Sequence, residues 1–480
     1  MPFPAPSTWI NGRAEQSHID DGASLRDPNT GAELASSRSS SSEQIDRAVA
    51  AASGAHADGR WSSLGAERRA PLLCALADGL DARADEIARL DALNSGVPIS
   101  VTRLFASSNG DTVRSAADRA LALGDAEAVP ADGRDVRIHR VPWGPAALLM
   151  PWNAPSAMAV KKLGFALAAG ASAVMKPSPA SPWSALLVAE AAAEAGLPEG
   201  VVNLVLGGAE AGAQLVEDRR IAAISMTGAT PTGRAIAAAA APRFTRLRLE
   251  LGSNNPAIVL PDADIEATAR ALVAGATKLS GQWCEAPRRV LAASAVHDRL
   301  VEALRTELAT LRIGSSLDDT TTLGPVAFEG RRRELTAQRD DLAARGATIV
   351  EVGTTPDEGF FFPPTLAVGD DIEPDSEIFG PLLAVEAFDA VEDAVRRANS
   401  GQVGLAGYVF SDDIDAASSL GAALVAGEVK VNGTSVLDMS PHSAQSFFGS
   451  SGIGGHGDAE LLEFFVGKRI VGTDAPGLPL

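Results

Sequence analysis

Cysteine is almost missing from this chain: Cys74 and Cys284 are the two thiols in 480 residues. So few leave no disulfide framework, and a reducing cytoplasm is the expected compartment. Histidine is scarce too. His18, His56, His139, His297, His442 and His456 form no HxxxH or HExxH spacing, so no metal site is expected. Long apolar runs are lacking, because Pro, Gly or charge interrupts the Ala-rich segments before they reach spanning length. The opening MPFPAPSTWINGRAE has neither the basic flank nor the apolar centre of a secretory signal. Positive charge is in deficit: 41 Lys and Arg face 61 Asp and Glu, a net charge of −20. That balance argues against nucleic acid and anionic membrane as partners. No internal repeat is evident.

What is present is an ordinary globular composition, 46% hydrophobic and 21% charged, in a chain long enough for more than one domain. Ser41 and Gln44 fit a capping box, with Ile45, Ala48, Val49 and Ala52 following on one helical face. Residues 66–94 repeat Leu at helical spacing, and Cys74 lies among Leu72, Leu73 and Leu76. It is expected to be a buried structural thiol. After residue 130 short apolar runs alternate with helical stretches: AALLM, SAVM, VVNLVLG, IAAISM and RLRLEL each precede or follow a helix. That alternation predicts a parallel α/β sheet with right-handed crossovers. A second α/β region is expected from 255 to about 445, and GKRIVG (467–472) as a terminal strand that pairs with DVRIHRV or with another subunit.

Ligands bind at the carboxyl ends of such strands. Those ends carry Pro151-Trp152-Asn153, Lys176-Pro177-Ser178, Thr227-Gly228 and Glu250. An amide, an ammonium, a Gly turn opening a helix and a carboxylate suit a polar ligand with phosphates and hydroxyls.

The stretch SGQWCEAP (280–287) sets Cys284 on a short turn beside a carboxylate. A cysteine nucleophile needs a thiolate or a base to make one, and donors for the oxyanion it creates. Asn153 and the Cys284 N–H are candidate donors. Glu250 and Glu285 are both candidate bases. The residues alone leave a nucleophilic thiol and a buried structural one as competing readings. No His lies near in sequence, so a Cys-His protease arrangement has little support. The string Gly452-Ile453-Gly454-Gly455-His456-Gly457 matches GxGxxG, but it follows no first βαβ strand. It is expected to be a loop lining the second α/β region.

Eight strings in order, PWNAP, MKPSPASP, TGATPTG, LELGSNNP, GQWC, SEIFGP, GLAGYVFS and SGIGGHGD, resemble the aldehyde dehydrogenases. The resemblance runs over nearly the whole chain. It implies an α/β fold with a Rossmann-type parallel-sheet cofactor domain (1–122 and 143–252), an α/β catalytic domain (253–445) and a small β oligomerisation arm (123–142 and 460–480). It implies that Cys284 attacks an aldehyde to form a thiohemiacetal and then a thioester. Asn153 and the Cys284 N–H would hold the oxyanion, Glu250 would activate water, and Lys162 falls at a proton-relay position. The cofactor would be NAD or NADP. Lys176 would hold the adenosine ribose and Glu377 the nicotinamide ribose, beside Phe379. Gly228 and Gly233 would bracket the pyrophosphate turn. Trp152, Ser178, Gly208, Gly212, Thr227 and Leu251 complete the implied cofactor contacts. The implied partners are a small-molecule aldehyde and other copies of the chain, as a homodimer or homotetramer.

Several positions depart from the pattern. Pro179 stands where many NAD-preferring members carry a glutamate, which leaves the choice between NAD and NADP open. Ser253 replaces the second Gly of ELGG, Leu279 replaces an Asn, and FFGSSG is shorter than usual. Lys161 and Lys278 occupy places where arginines of succinate-semialdehyde members grip a carboxylate, so an anionic aldehyde is an expectation. Met158 and Trp283 are the other implied substrate contacts. The rival readings are a CoA-acylating enzyme, which usually lacks the base glutamate, and a non-catalytic binding protein.

Overall fold

The structure is a computed structural model that describes residues 6–131, 134–401, 403–435, 439–440 and 443–474. Residues 1–5 of the expected first domain, 132–133 and 475–480 of the expected arm, and His442 lie outside the described residues.

Five parallel strands form the centre of the first sheet, in the order Val202–Leu204, Ala173–Lys176, Ala146–Leu149, Ala223–Thr227, Arg246–Glu250. The chain builds outward on one side of Ala146–Leu149 and then returns to build on the other. That reversal opens a crevice at the carboxyl ends of the strands. Alternate residues enter separate cores. Leu148, Met175 and Leu204 pack with Leu73, Leu76, Val113 and Phe165, whereas Ala147, Val174, Ile224 and Leu249 pack with Ile45, Val49, Leu215 and Ile236. Helices thus cover both faces, which is why these strands read as continuous apolar runs. The helix Ser42–Ala57 on the second face starts on the Ser41/Gln44 capping box, an arrangement worth about 1 kcal/mol.

A second sheet has seven strands, ordered Thr348–Glu351, Thr365–Val368, Leu382–Phe388, Pro287–Ala293, Asn255–Val259, Ala406–Phe410, Glu428–Val431. All its neighbours are parallel except the first pair. Val466–Gly472 pairs antiparallel with Val136–Pro142, which pairs in turn with Ala126–Ala128. The terminal strand therefore finds its partner within its own chain. Among the described residues no helix is long and apolar enough to cross a membrane, and no group of three or more His, Cys, Asp and Glu could hold a metal ion.

Two expectations are corrected. Cys74 is exposed. The helix Ala66–Asp81 buries Ala66, Arg69, Leu73, Leu76, Ala77 and Leu80, and Cys74 lies one residue, about 100° of helix rotation, past that stripe. The GxGxxG string also belongs elsewhere: Gly452–Ile453 extends the first sheet, antiparallel to Arg246–Glu250. A side chain at Gly452 would put its Cβ 1.7 Å from the Leu249 carbonyl oxygen, at a φ of +137°. The glycine therefore permits close strand pairing, not phosphate binding.

Candidate active site

Cys284 sits on the turn between the helix Ile265–Thr277 and the strand Pro287–Ala293. Every side of this turn is tied down. Arg288 donates to the carbonyls of Gly281 and Trp283 and, at 2.6 Å, to that of Gly380. Asn255 Nδ2 donates to the carbonyls of Cys284 at 2.8 Å and Ala286 at 2.9 Å. Gln282 Nε2 donates to the Ser95 carbonyl at 2.9 Å, and its Oε1 accepts from Ala327 N at 2.8 Å. Leu279 and Ser280 take left-handed φ values of 51° and 57°, conformations that Asn accepts more readily than Leu. An apolar cluster of Val97, Leu279, Trp283 and Ala286, with Phe105, Ala154 and Cys284 against it, packs the turn onto the first α/β unit.

That packing brings the thiol to the ends of the first sheet's strands. Cys284 Sγ lies 3.8 Å from Glu250 Oε1. Asn153 Nδ2 donates to the Gln282 carbonyl at 2.7 Å, so one amide hydrogen anchors the side chain and the second remains for another acceptor. Of the two candidate carboxylates, Glu250 is the one aimed at sulfur. Glu285 turns to Gln445, whose Nε2 donates to its Oε1 at 3.1 Å.

Burial pushes the Cys284 thiol well above the ordinary cysteine value, and the charges of Glu250, Glu285 and Glu377 push it further. Burial alone would raise Glu250 as well, but neighbouring positive charge, Arg248 foremost, outweighs it and holds the carboxyl below its ordinary value. Glu285 is pushed up to about 7, first by burial and then by Glu428. Lys162, which the family resemblance sets at a proton-relay position, lies on the helix Pro155–Ala168. It is wholly buried, donates from Nζ to Ser225 Oγ at 3.0 Å, and burial lowers it well below the ordinary lysine value. The reason is that the helix Pro155–Ala168 is covered nearly all round by the sheet and by the helix Ile99–Leu123.

The residues expected to bind a dinucleotide line the same crevice. Lys176 is buried, and its Nζ donates to the carbonyls of Pro177 at 3.1 Å and Gly207 at 2.7 Å; burial lowers it to about 8. The Glu377 carboxylate accepts from Ser253 N at 3.2 Å and burial raises it to about 7. Gly252 permits that approach, because a Cβ there would lie 2.1 Å from Glu377 Oε2. Phe379 meets Trp152 edge-on at 5.4 Å, and Phe328 meets the same tryptophan edge-on at 5.2 Å. Gly208 precedes the helix Ala209–Glu217, and Thr227 and Gly228 precede Thr230–Ala240; neither helix has a side-chain cap. Gly212 lies beside Lys176, and Gly233 leaves room for Leu251, which its Cβ would meet at 2.5 Å. Ser178 Oγ accepts from Ala180 N at 3.3 Å, and Pro179 is exposed. Two uncapped helix starts, a buried ammonium and a half-buried carboxylate form a set of donors and acceptors that fits phosphates and ribose hydroxyls.

The two lysines considered for substrate each have partners. Lys161 Nζ lies 3.5 Å from Asp458 and 3.4 Å from His456 Nε2. Lys278 donates to the Thr434 carbonyl and stands 4.5 Å above the Trp283 ring. Trp283 is buried in the apolar cluster, while Met158 is half-buried on the first turn of its helix. Arg248, Phe328 and Gln445 are further residues at the site that motif spacing does not single out. Strand alternation carried a signal for the first: Arg248 lies two residues before Glu250 and so projects from the same face.

The profile of the aldehyde dehydrogenase family matches residues 14–471. Geranial dehydrogenase of Castellaniella defragrans is 36% identical over 400 residues, covering 82% of this chain and 83% of its own. The non-phosphorylating aspartate-semialdehyde dehydrogenase of Halomonas elongata is 34% identical over 88% of this chain and 87% of its own. Among solved structures, PnpE of Pseudomonas sp. WBC-3 superposes with a TM-score of 0.92 at 31% identity over 99% of each chain. PnpE has also been solved in complex with nicotinamide adenine dinucleotide.

Proposed function

The chain belongs to the aldehyde dehydrogenase family, and from that premise we propose that it oxidises an aldehyde to the carboxylic acid with NAD or NADP, using Cys284 as nucleophile. The observation that carries this reading is the approach of Cys284 Sγ to Glu250 Oε1 at 3.8 Å, next to the Asn153 amide. The Cys284 thiol loses its proton to solvent and its sulfur attacks the carbonyl carbon, which leaves Glu250 unprotonated for the later step. The resulting oxyanion lies between Asn153 Nδ2 and the Cys284 N–H. The nicotinamide of the bound cofactor supplies the hydride acceptor that takes the thiohemiacetal to the thioester. Glu250 then removes a proton from water as the water oxygen bonds to the acyl carbon, and the Cys284 thiolate leaves. Lys176 and Glu377 would hold the two riboses, and the starts of the helices Ala209–Glu217 and Thr230–Ala240 the pyrophosphate. Lys162 and Ser225 extend the polar path behind Glu250.

Glu250 favours water over CoA as the acyl acceptor, and the cysteine, carboxylate and amide together disfavour a non-catalytic binding role. The three-stranded sheet supports a homodimer or homotetramer. Its edge strand Val466–Gly472 exposes Ile470 at 71% and Val471 at 52%, an apolar edge that pairing with another copy would cover.

Asn153→Ala is expected to lower kcat/KM by about 10²–10³-fold, read from single-turnover NAD(P)H formation. An undiminished rate would remove Asn153 from the oxyanion site.

The surroundings of the two lysines bear on the aldehyde. Lys161 is offset by Asp458 and Lys278 is engaged by Thr434 and Trp283, while Glu285 sets a half-buried carboxyl directly after the nucleophile. That set favours a neutral or cationic polar aldehyde over one with an anionic tail. Glu285 titrates near 7, so its negative charge, and with it the discrimination, grows as pH rises from 6 to 8. Glu285→Gln is expected to raise kcat/KM for a carboxylate-tailed aldehyde about tenfold at pH 8, the size of one like charge removed at short range. The check is a panel of equal-length aldehydes ending in hydroxyl, trimethylammonium or carboxylate. A wild-type preference for the carboxylate, lost on Lys161→Ala or Lys278→Ala, would reverse this reading.

A further inference from the structure

We propose that Arg248 is a positioning residue for the hydrolytic step: it anchors one oxygen of Glu250 so that the other faces Cys284. The inference rests on the reading of Glu250 as the base that activates water. Arg248 lies two residues before Glu250 on the strand Arg246–Glu250, so both side chains leave the same face. Its guanidinium is buried, at 2% exposure, with Nη2 3.6 Å from Glu250 Oε2. Thr227 Oγ1 meets the same oxygen at 3.3 Å, and Oε1 is left toward Cys284 Sγ at 3.8 Å. One carboxylate oxygen is thus held and the other presented.

The anchor is itself anchored. Arg248 Nε donates to the Gly455 carbonyl at 2.8 Å, and the guanidinium carbon lies 5.4 Å from the Phe447 ring centroid. Gly454 packs beside the side chain: a Cβ there would meet Arg248 Cγ at 3.4 Å, an ordinary van der Waals contact. Nη1 has no hydrogen-bond partner among the described residues, and Glu250 is the only carboxylate among them within ion-pair reach of Arg248. A buried guanidinium left with one anionic partner is costly unless that partner stays charged.

The other charged groups facing Glu250 are weaker anchors. Lys162, from the helix Pro155–Ala168, is driven by burial toward its neutral form. Lys161 on the same helix is paired with Asp458. His456, from the strand Gly455–His456, is pulled down to about 3 by burial and then by Lys161, so it is neutral at physiological pH. Cys284 and Glu285 on the turn repel the charge; each sees Glu250 as an unfavourable neighbour. Glu460 faces Arg248 from the helix Asp458–Phe465. Arg248 is therefore the nearby cation whose charge persists throughout the physiological range. The consequence is a base that remains ionised below the ordinary carboxylate range, so hydrolysis persists into acid.

The test compares wild type, Arg248→Met and Arg248→Lys over pH 3.5–9. It follows the NAD(P)H burst, steady-state turnover with a simple aliphatic aldehyde, and acyl-enzyme on Cys284 by mass spectrometry. Arg248→Met is expected to keep the burst at pH 8, to shift the acid limb of turnover upward by about one unit, to lose up to about tenfold of turnover on the acid side of that limb, and to accumulate acyl-enzyme there. Arg248→Lys is expected to restore most of the turnover. An unshifted acid limb in Arg248→Met overturns the inference, as does a proportional loss of burst and turnover, which marks a structural role. Should Arg248→Met fail to fold, wild type decides: an acid limb at or above about pH 6 overturns the proposal, and one at or below the ordinary carboxylate range supports it. A wild type without a burst overturns the base reading and this inference together, whereas a burst with an unaltered profile overturns this inference alone.

Discussion

Cys284→Ala is expected to cut NAD(P)H formation by about 10⁴-fold or more, the scale seen when a covalent nucleophile is removed, while leaving the fold in place. The turn is held by Arg288, Asn255 and Gln282 acting on its backbone, so the sulfur contributes little to its shape. The stability change should stay near 1 kcal/mol, visible as a small shift in Tm. Cys74 supplies an internal control. It is exposed and should still react with a thiol reagent in the variant, whereas inactivation of wild type should track modification of Cys284. A variant that retains turnover within tenfold of wild type would end the nucleophile assignment.

Glu250→Gln should separate the two halves of the reaction. A burst of NAD(P)H is expected to survive, followed by turnover lowered about 10²–10⁴-fold, the usual worth of a general base, with acyl-enzyme accumulating on Cys284. The same change carries an opposite effect on the free thiol. Burial raises Cys284, and the charge of Glu250 raises it further. Raising a thiol lowers its thiolate fraction at a given pH. Removing the Glu250 charge therefore moves the midpoint of alkylation to lower pH, and alkylation at pH 7 should become faster as turnover becomes slower. Loss of burst and turnover in equal measure, or slower alkylation, would mean that Glu250 acts chiefly on the thiol and not on the water.

Much of this was legible before any coordinates. The runs AALLM, SAVM, IAAISM and RLRLEL announce buried parallel strands because both faces are covered, and the residues after them face the crevice. The cysteine turn was legible as an anomaly of composition. Which carboxylate served it was not, since Glu285 is adjacent in sequence and Glu250 is 34 residues away. Adjacency on a turn says little about direction, and here it sends Glu285 to Gln445 while the remote strand end delivers Glu250 to sulfur. Cys74 misled for a related reason. Periodicity identifies a stripe, but one residue's rotation off the stripe reverses the exposure of a single side chain.

By itself the order of residues determined the α/β class, the family and the strand ends that carry polar groups, because hydrophobic period and motif spacing are local properties of the chain. Only the tertiary structure decided that the second unit's turn rests against the first sheet, that the GxGxxG string is an edge strand, and that Arg248 stands behind Glu250. Those facts depend on distances between segments remote in the chain, and it is packing of apolar clusters such as Val97, Leu279, Trp283 and Ala286 that sets such distances.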